Sequence, residues 1–577
     1  KYPTLDESIR TSYAALSTAT NKNSLYDSYI RAIRWASNRV LKSDQGGVVC
    51  YVSNNGYIDG NTADGLRLTL GNEFNDIYVY NLRGNSRTAG DLAKQEGGNV
   101  FDIRVGVAVI LLVKRPGVTL ESVVHYKDIG SYLTRDEKFD HITTASLKSI
   151  DWQTIVPNAG GDWINQRDPH YEKYPALADK NDRSGRTVFG KYGAGLQTNR
   201  DAWVYGSSSQ KVESNARRMI GNYNAELARW EAAGRPVAVE KFVDQDPAKI
   251  SWSSSLRDQI ARGAHIRSDE LRMSPSIYRP FYKQVVSAHR PILHRPAVLD
   301  RFFPSSGQGT VGFYLNGVHA HAEFAALAMD EIPCLDIFGK GGQFFARYSY
   351  TQPTPNALFD EPERVDNITD WALGEYQREF GAQVTKDDIF FYVYGLLHSP
   401  EYRERYASDL KKQLPRIPMV SGRDRFEAFA DAGRKLSELH IGYENVEPYP
   451  LTEVSPAFTP SDPFDKFEVK KMKYGGKAGA WDKTRIQYNS HIDIEGIPED
   501  AQRYMLGSRS ALDWIIERYQ VKTDAASGIV NDPNDWGREH DDPRYIVDLI
   551  KRVTRVSVET MKIVGYLPKL PLGEDGT

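Results

Sequence analysis

The sequence has few cysteines and no long apolar run. Cys50 and Cys334 are the only cysteines among its 577 residues, which excludes a disulfide framework or a zinc cluster and predicts a reducing compartment, the cytoplasm. No segment reaches the roughly 18 apolar residues of a membrane span. The longest apolar run, residues 105–113, has the length of a strand, so no membrane partner is predicted.

A large charge of one sign is also missing. The net charge is -3 and the pI about 6.5, so the total does not indicate a nucleic-acid partner, and any DNA site must be a local basic patch. Hydrophobic residues make up 40% and charged residues 26%, as in ordinary globular proteins. A chain of this length predicts two to four domains, because one hydrophobic core does not grow so large.

The first 117 residues show an alternation of helical and strand patterns. Apolar residues recur at helical spacing in two segments, and short apolar runs between them predict strands. This order predicts an α/β fold of the doubly wound kind, and only its rear part, since a complete sheet needs further βα units in front. The segments are a helix over 24–45, a strand within 46–58, a helix over 62–74, a strand over 76–82 and a strand at the end of 100–117.

After residue 117 the sequence becomes richer in aromatic residues, proline and asparagine, and short helical and strand patterns are mixed. This change predicts a domain boundary near 145–150, which divides the chain into residues 1–148 and a large α+β region over 149–577. A softer break within that region is predicted near 352–365, in TQPTPNALFDEPER.

Two segments carry a family resemblance: LYDSYIRAIRWASNRVLKSDQGGVVCYVSNNGYIDG (25–60) and VFDIRVGVAVILLVKR (100–115). Together they resemble the rear part of Rossmann-like class I methyltransferases of the N6-adenine DNA class. The resemblance implies that Tyr29 lies against the adenine of the cofactor S-adenosylmethionine. It also implies that Phe101 stacks on the flipped target adenine, because the base must leave the duplex to be methylated. The competing interpretation is that both are core aromatics.

The family's catalytic Asn-Pro-Pro-Tyr and its Gly-rich cofactor loop are absent from the sequence. SNNGY (53–57) has Asn-Gly where the motif has Pro-Pro, and DPRY (542–545) has arginine in place of the second proline. The resemblance therefore implies no catalytic residue in this chain, and it predicts that the chain alone does not transfer a methyl group. The family order would place the missing motifs in front of Lys1.

Longer phrases further along the chain resemble one family as a set. They are SIYRPFYKQVVSAHRPILHRP (276–296), FYVYGLLHSPEYRERYASDLKKQLPRIP (391–418), LHIGYENVEPYP (439–450), GSRSALDWIIERYQVKTDAASGIVNDPNDW (507–536) and DPRYIVDLIKRV (542–553). They are similar to the C-terminal specificity region of type ISP restriction–modification enzymes. That resemblance implies double-stranded DNA as a partner. It also implies upstream nuclease, helicase-like and methyltransferase modules on the same polypeptide. ATP and Mg²⁺ would be cofactors of those upstream modules only.

Composition supports a DNA partner in one stretch. Between Ser251 and Arg301 there are nine Lys/Arg against four Asp/Glu, and arginine is the side chain that reads guanine edges most often. A second basic group lies over 403–425, although solvated helix faces or internal ion pairs would explain either group. The residues predicted to contact DNA are Arg279, Tyr282, Lys283, Arg290, His294, Arg295 and Arg416.

Other residue groups are weaker candidates for a metal or catalytic site. His319 and His321 alternate and Glu323 follows, but two alternating histidines without a fuller ligand set do not predict a metal site. Cys50 lies in a predicted strand and is expected in the core. No P-loop, helicase or nuclease motif occurs, so those functions are not predicted here.

The sequence thus predicts the rear of an adenine methyltransferase followed by a DNA-recognition region. The alternative is a non-enzymatic specificity module that docks on a separate catalytic subunit. Methylation of RNA or protein by a similar half-fold is a third interpretation, and the large specificity-type region disfavours it.

Overall fold

A computed structural model describes residues 2–570 except 20, 88–90, 120, 182–183, 236–237, 305–308, 319–322, 352–361, 456–458 and 478. The chain forms two compact units. The first comprises Lys1–Tyr171, His321–Glu323 and Arg405–Gln413, and the second comprises Glu172–Ala320, Phe324–Glu404 and Leu414–Thr577. The break predicted near 352–365 falls mostly outside the described residues, as do His319 and His321.

The described residues form these α-helices: α1 Pro3–Thr11, α2 Tyr13–Leu16, α3 Ser28–Leu41, α4 Asp64–Gly71, α5 Asp91–Glu96, α6 Arg135–Thr143, α7 Asp201–Val204, α8 Ser209–Ala232, α9 Val239–Phe242, α10 Ser254–Ala261, α11 Ala297–Phe302, α12 Asp370–Phe380, α13 Lys386–Leu396, α14 Pro400–Arg405, α15 Ala407–Lys412, α16 Arg423–Ile441, α17 Pro463–Phe467, α18 Glu499–Arg503, α19 Ala511–Arg518, α20 Asn534–Glu539 and α21 Tyr545–Gly565.

The strands are β1 Gly47–Asn54, β2 Asp76–Arg83, β3 Val107–Lys114, β4 Val123–Asp128, β5 Gln153–Ile155, β6 Tyr205–Gly206, β7 Met273–Arg279, β8 Tyr282–Ser287, β9 Gly312–Asn316, β10 Ala326–Met329, β11 Ile332–Pro333, β12 Gly342–Ala346, β13 Tyr348–Tyr350, β14 Arg364–Asp366, β15 Thr452–Val454, β16 Lys473–Lys477, β17 Ala480–Gln487, β18 Asp493–Glu495, β19 Met505–Leu506, β20 Arg509–Ser510, β21 Lys522–Thr523 and β22 Val530–Asn531.

The first unit is built on one mixed sheet with the strand order β1-β3-β2-β4-β5. Strands β1 and β2 are joined through α4 and are both antiparallel to β3, so they run parallel to each other with β3 between them. The next strand, β4, is parallel to β2, and β5 is antiparallel to β4. The three predicted strands are confirmed. The expected doubly wound order is modified because a reversed strand is inserted between two parallel ones.

The core of this unit lies between the sheet and its helices. The helical spacing in 62–74 predicted one buried face, and Leu66, Leu70 and Phe74 are fully buried. Helix α3 begins at Ser28, later than predicted, because a 3-10 turn over Asn23–Tyr26 precedes it. The unit also continues beyond the boundary predicted at residue 148, since β5 extends its sheet.

A buried network of charges ties the first unit together. The Arg67 side chain is fully buried and donates hydrogen bonds to the carbonyl oxygens of Tyr57, Gly60 and Gly161. Its guanidinium lies 3.5 Å from the buried Asp162 carboxylate, which also pairs with Lys412 at 3.0 Å and Arg167 at 2.8 Å. Asp162 is therefore the acid shared by three cations.

The second unit is formed by several small sheets and a helical layer. Sheet β11-β7-β8-β6 and sheet β15-β18-β17-β16 contribute to one large hydrophobic core with α8, α19 and α21. Helices α13 and α16 approach closely at Gly395 and Gly433. A Cβ on Gly433 would stand 1.9 Å from the carbonyl oxygen of Phe391, so a larger residue there would separate the helices.

The basic group predicted over 403–425 begins in a segment of two short helices. These are α14 and α15, and Asp409 and Lys412 are buried. Burial raises the pKa of Asp409 to about 6. None of the helices in the described part of the chain is long and apolar enough to cross a membrane. The described residues contain no cluster of His, Cys, Asp and Glu that could hold a metal ion.

Candidate functional site

The carboxyl ends of β1 and β2 meet at one edge of the first unit's sheet, the position at which α/β proteins bind ligands. Strand β3 starts at the same edge, because Asn54 is registered against Val107. The Asn55 backbone N–H donates to the carbonyl oxygen of Gly106 at 3.0 Å, and its side-chain amide donates to Asn81 Oδ1 at 3.0 Å. The loop that carries Phe101 is thereby held against the end of β1.

Phe101 is exposed at this edge, with 57% of its surface accessible. It is not a core aromatic, so the competing interpretation of this residue is wrong. The next residue, Asp102, has a φ of 55° and its carboxylate pairs with Arg135. The Phe101 ring thus lies at the surface, next to a residue with left-handed backbone geometry.

Asn99 braces the Phe101 loop from inside. Its side-chain amide donates to the carbonyl oxygens of Gly84 at 2.9 Å and Val105 at 2.7 Å. Its carboxamide oxygen accepts from the backbone N–H groups of Phe101 at 2.9 Å and Ile103 at 3.2 Å. Four hydrogen bonds from one side chain fix a loop that has little secondary structure of its own.

We expect Asn99→Ala to release this loop without unfolding the unit. Each lost hydrogen bond is worth about 1 kcal/mol, so amide hydrogen exchange in residues 99–106 should accelerate at least about tenfold. Mass-spectrometric exchange on the variant measures this. Asn72→Ala, at an exposed residue of the same unit, is the matched control and should leave the exchange unchanged. Unaltered exchange in Asn99→Ala would show that the loop does not depend on this side chain.

Tyr29 lies half-buried on α3, beside the turn that follows β1. A Cβ on Gly56 would meet the Tyr29 hydroxyl at 3.7 Å, and the ring packs partly against the core of the unit. Burial raises the pKa of Tyr29 to about 12, and the nearby Asp27 adds to the shift. The hydroxyl therefore stays protonated and can donate at this edge of the sheet.

The outer edge of β1 is uncovered. In the described part of the chain β1 pairs with β3 alone, and Val48, Cys50 and Val52 alternate on an exposed face. Cys50 was expected in the core. It is exposed because strand residues alternate between faces and Val49 takes the buried position. An unpaired strand edge can pair with another chain, and the exposed valines add an apolar face beside it.

In the second unit, four of the residues predicted to contact DNA are held by interior or local contacts. The buried Arg279 donates to the carbonyl oxygen of Tyr278 at 2.6 Å. Tyr282 is buried and accepts hydrogen bonds from Gln284 and Asn531. Both side chains stabilise the fold here and present no surface to a duplex.

The other two have fixed partners as well. Lys283, with 18% of its side chain accessible, pairs with Glu444 at 2.6 Å. The guanidinium of Arg416 pairs with Glu172 at 2.6 Å and donates to the carbonyl oxygen of Tyr174. These contacts account for both cations without a nucleic acid.

The remaining three lie nearer the surface. Arg290 is about half exposed and pairs with Asp300, and Arg295 is exposed. His294 is half-buried with its Nδ1 3.2 Å from Ser255 Oγ. Desolvation lowers the pKa of His294, and the neighbouring Arg295 and Arg200 lower it further, so the ring is neutral at pH 7. These three residues remain predicted DNA contacts.

A polar cleft lies in the second unit. Two adjoining cavities of about 430 and 310 Å³ share Asp201, Ala202 and Asp524. Four aspartates and three cations line them, and one of the cations, Lys211, is paired with Asp535. This charge balance disfavours phosphate. The lining amides of Asn199 and Asn215 suit hydrogen bonding to uncharged groups.

Sequence reasoning missed a basic segment over 470–487. It contains six Lys/Arg and a single acid, Asp482, and the structure folds most of it into the exposed hairpin of β16 and β17. The signal was present in KKMKYGGKAGAWDKTR, where lysines surround a Gly-Gly pair. We call residues 470–487 the basic hairpin.

Comparison with known proteins gives the family. Residues 187–549 match the family model of the type ISP C-terminal specificity domain. A search of curated proteins found no match. The chain is similar to a nuclease-deletion mutant of the type ISP restriction–modification enzyme LlaGI in complex with a DNA substrate mimic. That match has 38% identity and a TM-score of 0.84, and covers 100% of this chain and 51% of that one.

Two further solved structures are similar over almost the whole chain. One is the ATP-dependent type ISP enzyme LlaBIII bound to DNA, with 35% identity, a TM-score of 0.86, and coverage of 99% of this chain and 36% of that one. The other is a DrdV–DNA complex, with 32% identity, a TM-score of 0.82, and coverage of 99% and 55%. This chain thus spans about a third to a half of these proteins. It belongs to the type ISP restriction–modification family, and residues 187–549 are its C-terminal specificity domain.

Proposed function

We propose that this chain recognises a specific sequence in double-stranded DNA as part of a restriction–modification enzyme. The observation that carries the proposal is the specificity-domain match over residues 187–549. It is joined by similarity over the full chain to LlaGI and LlaBIII, whose structures are described with a DNA substrate mimic and with DNA. The second unit is the part that reads the sequence, in the cytoplasm of the cell that carries the enzyme.

The first unit contributes to methylation of adenine N6 in the complete enzyme. This role is supported by the exposed Phe101 at the carboxyl edge of the sheet. A flipped adenine would regain a stacking partner there. Asn99 positions the ring through the loop backbone. Phe101 therefore acts by binding and orienting the base.

S-adenosylmethionine would bind at the same edge. Tyr29 lies beside the turn after β1 with a protonated hydroxyl, and its ring would form one wall for the adenine of the cofactor. The cofactor supplies the methyl group when it is bound. Catalytic side chains and the remaining cofactor contacts would come from the preceding methyltransferase half. ATP and Mg²⁺ would be used by helicase-like and nuclease modules of the same polypeptide.

The unpaired edge of β1 is equally compatible with a second arrangement. There the chain is a specificity module, and a separate catalytic subunit covers Val48 and Val52. The coding sequence that precedes this chain distinguishes the two. An in-frame Gly-rich loop and Asn-Pro-Pro-Tyr support one polypeptide, whereas the same motifs in a separate gene support docking.

The test of sequence recognition is selection from a random pool of duplexes. We expect the retained duplexes to share one site, because specific binding exceeds non-specific binding by at least about 10³ in such proteins. Fluorescence anisotropy with an excess of unrelated duplex then gives the ratio of the two Kd values. A retained pool without a common sequence would refute the proposal.

A further inference from the structure

The basic hairpin forms an arm that leaves its sheet. Strand β17 pairs with β18 only through Arg485, Ile486 and Gln487. Beyond these residues, within the part of the chain that the structure describes, β16 and β17 pair only with each other, through Gly475–Asp482, Gly476–Trp481 and Lys477–Ala480. The end of the hairpin is therefore a free two-stranded ribbon rather than part of a packed sheet.

Small residues, Gly475, Gly476, Gly479 and Ala480, make up half of the end of the arm and keep it narrow. Gly476 has a φ of 80°, and a Cβ there would stand 2.4 Å from the carbonyl oxygen of Ala480. A Cβ on Gly475 would stand 2.8 Å from Arg485 Nε. Trp481 is the one aromatic at this end, and 47% of its surface is accessible. A slender two-stranded ribbon has a width that the major groove of DNA admits.

The charge of the arm is positive and largely uncompensated. Lys471, Lys473 and Lys477 are exposed, and no ion pair joins any of them to another residue in the described part of the chain. Among the described residues Lys483 lies 3.6 Å from Asp513 and over the Tyr474 ring, and Arg485 lies 3.4 Å from Asp493. Exposed cations without acids attract phosphate and release its counterions.

The positive field continues beyond the arm. Burial lowers the pKa of Lys522, and the charges of Arg518 and Lys471 lower it further, against the opposing charge of Glu517. Like charges gathered around one ammonium group are unfavourable for the protein alone.

We propose that the basic hairpin is a DNA-contacting arm that lies along a groove of the duplex, with Lys471, Lys473 and Lys477 on phosphates and Trp481 on the sugar–base wall. The proposal rests on the proposed function and names the surface that performs it. On this proposal the main phosphate contacts lie in residues 470–487, whereas the basic composition had predicted them in residues 251–301. The major groove of a duplex admits a two-stranded ribbon, and the unpaired lysines attract the phosphates that border the groove.

The test compares two triple variants of the full chain, each of which removes three exposed lysines. The arm variant is Lys471→Gln, Lys473→Gln and Lys477→Gln. The control is Lys241→Gln, Lys340→Gln and Lys435→Gln, at exposed lysines elsewhere in the same unit. Both change the net charge equally, so a difference between them comes from position. Circular dichroism melting checks that both variants fold.

Binding is measured by anisotropy on a labelled 30-base-pair duplex over a range of KCl concentrations. We expect the arm variant to bind about 100-fold more weakly at 0.15 M salt. The slope of log K against log salt should fall by about 2.7, which is about 0.9 for each phosphate that the variant no longer neutralises. The control should retain wild-type affinity and slope. Trp481→Ala should weaken binding without changing the slope.

Two other outcomes overturn the inference in different ways. If the wild-type chain binds the duplex and the arm variant binds it with the same Kd and salt slope, the hairpin is not the contact, and the proposed function stands. If the wild-type chain binds no duplex at any salt concentration, the proposed function fails and the arm fails with it.

Discussion

Replacing Phe101 by alanine is expected to lower the rate of adenine methylation by the complete enzyme about 5- to 150-fold, which corresponds to the 1–3 kcal/mol of one base–aromatic stacking contact. The ring is exposed at the carboxyl edge of the sheet, so its loss removes a contact with the flipped base and leaves the core intact. The unfolding of the first unit should therefore be unchanged.

The measurement is single-turnover transfer of a labelled methyl group to a duplex that carries the recognised site. Phe101→Tyr keeps the ring and should retain a rate within a few-fold of wild type. Trp35→Ala, at an exposed aromatic on α3, is the control for loss of an aromatic elsewhere in the unit. The stacking role would be refuted if Phe101→Ala methylated at the wild-type rate.

Replacing Asp162 by alanine is expected to destabilise the first unit by about 3–5 kcal/mol, as is typical when one partner of a buried ion pair is removed. The reason is that Arg67 and Lys412 are both buried and would lose their shared acid. Asp162→Asn keeps the shape and part of the hydrogen bonding, so its loss should be smaller.

Hydrogen exchange in peptides over 57–71 and 158–167 reports on this unit, and peptides of the second unit provide an internal reference. Asp151→Ala is the matched control, because Asp151 is fully exposed and its nearest cation, Lys127, is 3.9 Å away. A change within about 0.5 kcal/mol is expected there. Equal exchange in the Asp162 and Asp151 variants would show that the buried network does not hold the unit together.

The same network gives a dependence on pH. Burial alone would raise the pKa of Asp162, but hydrogen bonds from Arg167 and Asn158 and the charge of Lys412 outweigh it and lower the pKa. A carboxyl group with a lowered pKa stabilises the fold above its unfolded value, here 3.8, and that contribution is lost as the pH falls. The protection factors of wild-type amides in these peptides, which are exchange rates corrected for the pH dependence of the intrinsic rate, should therefore fall below about pH 4, whereas Asp162→Ala should lack this component.

The sequence predicted the local elements of the first unit better than their arrangement. The apolar runs over 76–82 and 105–113 indicated strands, because the period of side chains in a strand is a local property. The insertion of β3 between β1 and β2 depends on pairings such as Val49 with Leu112, far apart in the chain. A local pattern carries no information on that order.

The predicted DNA contacts show the same limit. Basic composition over 251–301 singled out Arg279, but composition does not tell a solvated guanidinium from one that donates to an interior carbonyl oxygen. Phe101 was singled out by resemblance to a family rather than by its pattern. Its brace, Asn99, left no signal, because the four hydrogen bonds it makes are a property of the folded loop.

The first unit is discontinuous in sequence, and this has a consequence for biosynthesis. Residues 405–413 belong to it although more than 200 residues of the second unit are translated before them. Lys412 leaves the ribosome long after Asp162. The charge network that they share therefore cannot form until residue 412 has been translated. During elongation the first unit therefore lacks residues 405–413 and stays incompletely folded. For the same reason, an expression fragment cut after residue 171 would lack a cation that its interior needs.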